Sequence, residues 1–208
     1  MINGPITKWH FRYNFIAKSM AGLMLMVLLA ACASTATPVP GKVTPRVEFN
    51  QVAYKAALEL MKQKKYSDAV VSLETIIRDS ERRAGPYINL GIAYKEMGRF
   101  DVSKKAFLTA TQIDPKSAIS FNELGLVYRK LGEFASAKKA YMESINNKSG
   151  YSLPYRNLGI LCDIYLQDLQ CAIRNYKKYR SLTGKEDKKV GLWIVDLKRR
   201  MDKKSRGK

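Results

Sequence analysis

Reactive side chains are few in this 208-residue chain, and where they stand matters more than how many there are. Histidine occurs once, as His10. Beyond it there is no imidazole to pair with a serine or cysteine nucleophile, to act as a general base, or to ligate zinc in the usual way. Carboxylate or lysine chemistry alone would have to carry any reaction. The expectation is therefore a protein that is not an enzyme, with no catalytic residue, no metal and no dissociable cofactor. Cysteine occurs three times, at Cys32, Cys162 and Cys171. Cys162 and Cys171 fall on the two helices of one hairpin in the pattern described below. A disulfide and a pair of buried free thiols are both open to them, since bridging demands a short Cα separation and an oxidising compartment.

Cys32 stands at the end of a different kind of segment. Residues 1–31 hold Lys8, Arg12 and Lys18 and no acidic residue, and Met20 to Ala33 is uncharged. That run is shorter than the roughly 20 apolar residues needed to cross a bilayer core. A basic stretch, a short apolar core and small residues describe a secretory signal. Its end, Leu29-Ala30-Ala31-Cys32, resembles the lipobox of bacterial lipoproteins. The resemblance implies a diacylglycerol on the Cys32 sulfur, cleavage before Cys32 and acylation of the new amino terminus. Two or three acyl chains anchor stably where one does not. Ala33 follows, where aspartate tends to retain such proteins at the inner membrane; this implies the outer membrane, facing the periplasm. The only cofactor-like group expected is this covalent lipid. Residues 32–49 then read as an extended tether, rich in proline and without material for a core.

The formal charge is +19, from 37 basic and 18 acidic residues. Such a field favours acidic partners or anionic headgroups. Export argues against nucleic acid. Charge is densest at the carboxyl end, in Lys198, Arg199, Arg200, Lys203, Lys204, Arg206 and Lys208. This run reads as a solvated face and tail, with attraction to anionic lipid as the alternative.

The organising signal is a repeat. Tyr87-Ile-Asn-Leu90-Gly91-Ile-Ala-Tyr94 returns as Phe121-Asn-Glu-Leu124-Gly125-Leu-Val-Tyr128 and again as Tyr155-Arg-Asn-Leu158-Gly159-Ile-Leu-Cys162, each 34 residues on. The first two copies continue to Gly98-Arg-Phe100 and Gly132-Glu-Phe134. This pattern resembles the tetratricopeptide repeat (TPR), a pair of antiparallel helices with that period. Leu90, Gly91 and Tyr94 mark one face of a first helix and Gly98 its end. Ser103, Phe107 and Ala110 mark a second helix, with Ala137 and Tyr141 as counterparts of Ser103 and Phe107. A degenerate earlier copy has Ala57 at the glycine position and Tyr66, Ala69 and Leu73 on its second helix. The last copy needs one extra residue in its turn to align Leu169, Ala172 and Tyr176. The expectation is all-α: a TPR solenoid of four hairpins (50–83, 84–117, 118–151, 152–186), a capping helix over 187–204 and a basic tail over 205–208. Val190, Leu192, Trp193, Ile194 and Leu197 are the apolar positions of the cap.

In TPR proteins the first helix of each hairpin lines a concave binding face. Carried onto this chain, that implies a groove of Tyr54 and Leu58, then Ile88, Ile92 and Lys95, then Asn122, Leu126 and Arg129, then Arg156 and Ile160. The alternative for any of these is contact with a neighbouring repeat. The groove is apolar with a basic edge at Lys95, Arg129 and Arg156, suited to a protein or peptide of apolar and acidic character. The lysine-asparagine pair by which some TPR domains hold chaperone tails is absent, because Tyr54 and Leu58 occupy its places. Lipobox and repeats together resemble the short TPR lipoproteins of type IV pilus biogenesis. That implies an adaptor supporting an envelope complex such as a secretin. An adaptor of a TonB-type transport complex and an activator of a cell-wall enzyme are the alternatives.

Overall fold

A computed structural model describes residues 49–79, 82–184 and 187–206, all within a compact unit spanning Val43–Lys208. The signal, Cys32, the tether before residue 49 and the last two residues lie outside the described set. The described residues are helical, with turns between, and contain no strand. Four hairpins follow one another: α1 (Gln51–Lys62) with α2 (Tyr66–Asp79), α3 (Ala84–Glu96) with α4 (Phe100–Ile113), α5 (Ala118–Lys130) with α6 (Phe134–Asn147), and α7 (Ser152–Ile160) with α8 (Leu169–Leu182). A long last helix, α9 (Lys188–Arg206), packs on α8. It reaches past the expected end at residue 204, so Ser205 and Arg206, expected in the basic tail, are helical.

The turns explain the period. Two residues past the end of each first helix, counting the π-helical continuation of the fourth, stands a residue with positive φ: Lys64, Gly98, Gly132 and Gln167. The next N–H then bonds back to a carbonyl in the helix: Lys65 to Leu60 at 2.9 Å, Arg99 to Tyr94 at 2.8 Å, Glu133 to Tyr128 at 2.9 Å. These bonds satisfy carbonyls that the helix end leaves open and turn the chain back. In the fourth hairpin Asp168 bonds to Cys162 instead, one residue further away, at 2.8 Å. The extra residue is thus not in the turn, where the sequence placed it. It is absorbed in a π-helical segment, Leu161–Tyr165, which continues α7. A π-turn is how a helix takes up one inserted residue without losing its ladder.

Pairing within hairpins depends on small residues facing aromatic rings. A Cβ placed on Gly91 would meet Phe107 at 2.8 Å, one on Gly125 would meet Tyr141 at 2.6 Å, and one on Gly159 would meet Tyr176 at 2.5 Å. Each ring is buried, so each glycine exists to leave it room. Ser103 is buried at the same crossing and donates to the Gly91 carbonyl at 2.7 Å. Capping residues start α1, α5, α8 and α9: Asn50, Ser117, Asp168 and Asp187 accept from backbone N–H groups three residues on.

Candidate functional site

Successive first helices touch one another, α1 with α3, α3 with α5, and α5 with α7. They form a continuous face whose seams are polar. Asn89 donates to the Tyr54 hydroxyl at 2.6 Å, across from the first hairpin to the second. Lys95 donates to Glu123 at 2.6 Å, across from the second to the third, and also lies 3.6 Å from Glu96. Asn157 donates to Asn122 at 2.9 Å, across from the third to the fourth. Beyond that, Arg156 lies 3.9 Å from Asp187 and 5.6 Å above the Trp193 ring of α9. Asp163 is paired with Arg200 of α9.

These seams sort the ten expected groove residues. Leu58, Ile88, Ile92, Leu126 and Ile160 are half-buried and present apolar surface beside the seams. Ile88 and Ile92 pack on the cluster around Phe107 and Leu124, and Leu126 and Ile160 pack on the cluster around Tyr141 and Tyr176. Tyr54 is half-buried with its hydroxyl engaged by Asn89; burial, opposed by that bond, pushes its pKa up. Lys95 is committed to its two glutamates. Asn122 is corrected: it is 1% exposed and bonded to Asn157 and Glu123, so it joins two hairpins and cannot meet a partner. The helical count points it to the right face. A packed neighbour one position further along the next helix then covers it.

Arg129 is the distinctive cation of the face. Its guanidinium lies 5.9 Å from the Tyr165 ring, and its Nε is buried without a hydrogen-bond partner. The buried Tyr141 hydroxyl is also unpaired. Burial raises the Tyr141 pKa, and the Arg129 guanidinium beside it opposes this. Tyr176 is likewise raised by burial first and by Asp163 second, with Arg156, Arg129 and Arg200 opposing. The third and fourth hairpins and α9 therefore bring two phenols and three guanidinium groups to one neighbourhood. Sequence reading took Tyr141 as core alone; its hydroxyl, absent from Phe107 one repeat earlier, was the available signal.

Cys162 and Cys171 form a disulfide, with their Cα atoms 5.8 Å apart. It ties the π-helical end of α7 to the start of α8 and closes the tip that carries the exposed Ile164, Tyr165 and Leu166. No cluster of metal-ligating side chains occurs among the described residues.

The family model for the tetratricopeptide repeat matches residues 84–117 and 118–150. The chain carries tetratricopeptide repeats. A comparison with curated protein sequences finds no match. Among solved structures, this TPR chain is similar to the crystal structure of MamA, at 25% identity over 65% of this chain and 79% of that one, with a TM-score of 0.60. It is similar in fold to PilF of Pseudomonas aeruginosa, at 16% identity over 73% and 68% of the two chains, with a TM-score of 0.66. It is also similar in fold to YrrB, described as a TPR protein with an unusual peptide-binding site, at 14% identity over 69% and 73%, with a TM-score of 0.60. The TPR solenoid is a scaffold for protein–protein interaction.

Proposed function

We propose that this chain is an adaptor of the bacterial cell envelope, anchored through lipid on Cys32, that grips a protein partner along the face of its first helices. The observation that carries the reading is the half-buried apolar stripe of Ile88, Ile92, Leu126 and Ile160, with Arg129 beside it. An apolar segment with an acidic residue near Arg129 fits such a face, because alternate anchors fill the stripe and a carboxylate meets the guanidinium. Lys95 and Arg156 already have acidic partners, so Arg129 supplies most of the charge recognition. The lipobox, the short uncharged run and the proline-rich tether support export and a membrane anchor at the outer membrane, on its periplasmic side. The resemblance to short TPR lipoproteins of pilus biogenesis supports a role in assembling a type IV pilus or secretin.

The test is a crosslinked pull-down from membranes with mass spectrometry, comparing wild type with the double substitution Ile92→Glu, Arg129→Glu. Capture of one envelope protein by wild type and its loss from the variant supports the adaptor reading. Unchanged capture places binding elsewhere. Incorporation of labelled palmitate by wild type and not by Cys32→Ser supports the lipid anchor; no incorporation by wild type removes it.

A further inference from the structure

Helix α9 does two opposite things with its two sides. Val190, Ile194 and Leu197 are buried against the fourth hairpin, with Trp193 and Met201 beside them. On the opposite side Leu192 and Val195 are 69% and 65% exposed. The sequence reading counted Leu192 among the capping contacts; the helical period turns it outward instead. Its neighbours on that outer side, at spacings of three and four residues, are Lys188, Lys198, Arg199, Asp202, Lys203 and Arg206. The helix holds eight basic residues and two acidic ones. Arg199 and Arg200 have carboxylate partners. Lys188, Lys189, Lys198, Lys203, Lys204 and Arg206 form no ion pair among the described residues. The preceding helix α8 contains no acidic residue, and its Arg174, Lys177 and Lys178 are exposed and likewise unpaired.

We propose that the outer side of α9 docks on an anionic phospholipid surface, lying in the plane of the headgroups with Leu192 and Val195 entering the boundary. An amphipathic helix with a small apolar centre in a cationic surround binds this way, by insertion together with attraction to acidic headgroups. At 19 residues the helix lays about 28 Å of such surface against the bilayer. A second copy is a poor occupant, because the chain carries a charge of +19 and like faces would repel. The cations are long, exposed and without fixed partners. A fluid headgroup layer satisfies such groups without the shaped recess that a folded partner requires. Two attachment points would then set the solenoid beside the membrane, although the proposal does not depend on a lipid at Cys32.

The experiment uses the compact unit Val43–Lys208, which contains the whole described core and lacks the apolar amino-terminal run. Its co-sedimentation with phosphatidylcholine vesicles is compared with that on vesicles of phosphatidylcholine and phosphatidylglycerol in equal parts. Binding is expected to the anionic vesicles only, falling as salt is raised. Changing Lys188, Lys198, Lys203 and Arg206 together to glutamine is expected to weaken partitioning by at least ~100-fold, since each such cation contributes about 1 kcal/mol near an anionic surface. All four are exposed and unpaired, so an unchanged thermal unfolding profile shows that the fold is intact. Leu192→Ser with Val195→Ser is expected to weaken it roughly tenfold through lost apolar burial. No binding to anionic vesicles, equal binding to both kinds, or full binding by the glutamine variant overturns the proposal. Failure on vesicles with retention on immobilised polyglutamate, dependent on the same four cations, would assign the face to an acidic protein and overturn it too.

Discussion

Gly125 and Tyr141 compete for one space: a Cβ on Gly125 would stand 2.6 Å from the Tyr141 ring, which is fully buried. The contact recurs at Gly91 with Phe107 and at Gly159 with Tyr176, so in the last three hairpins the glycine is what lets the second helix approach the first. Gly125→Ala is expected to destabilise the chain by roughly 1–3 kcal/mol, as overpacking does. Urea unfolding followed by circular dichroism measures it. A neutral result would mean that the ring has another place to go.

Tyr141→Phe is expected to act in the other direction. The hydroxyl is buried and unpaired, and Phe107 fills the same place one repeat earlier. Removing an unsatisfied buried polar group is expected to gain about 1 kcal/mol. The pH dependence gives a second readout. Burial raises the Tyr141 pKa in the folded chain. Its contribution to stability is complete below the unfolded tyrosine value of about 10 and is lost as pH rises above it. The alkaline fall in stability should therefore be shallower in Tyr141→Phe, as unfolding at a series of pH values would reveal.

Much of this architecture was legible. Leu90 and Gly91 recur in the last three hairpins, and Tyr94 as Tyr128 in the third, because each performs the same packing task there, and identical tasks leave identical residues. The parts that escaped are those in which a residue's role depends on the next hairpin. Asn122 falls on the binding face by helical count, yet Asn157 covers it. Leu192 sits among apolar neighbours in sequence, yet the 3.6-residue period carries it to the far side of α9. The inserted residue of the fourth hairpin was visible only as a count. Whether it would lengthen a turn or widen a helix depends on hydrogen bonds that the sequence does not spell.

The Asn122–Asn157 bond should join the third and fourth hairpins energetically. Asn157→Ala leaves the buried Asn122 carbonyl oxygen without its donor, and is expected to cost about 1–3 kcal/mol. Replacing both asparagines should cost less than the sum of the single changes, because they share one interaction. A double-mutant cycle from denaturant unfolding checks this; additive losses would mean that the bond contributes nothing.

The disulfide between Cys162 and Cys171 closes a short loop with a sequence separation of 9. Loop-closure entropy of that size corresponds to about 2–3 kcal/mol. Cys171→Ser is expected to lower stability by that amount. Exposure to reductant should act slowly, because both cysteines are buried. Thermal unfolding with and without reductant, on wild type and variant, separates the bridge from the packing of the side chains.

We propose that the partner sits on the first-helix face rather than on the second-helix face. It is tested most directly by photo-crosslinking in membranes with a benzoylphenylalanine placed at Ile92 or at the exposed Met142 on α6. One specific adduct is expected from position 92, diminished by Arg129→Glu, and none from position 142. An adduct from position 142 alone would contradict it.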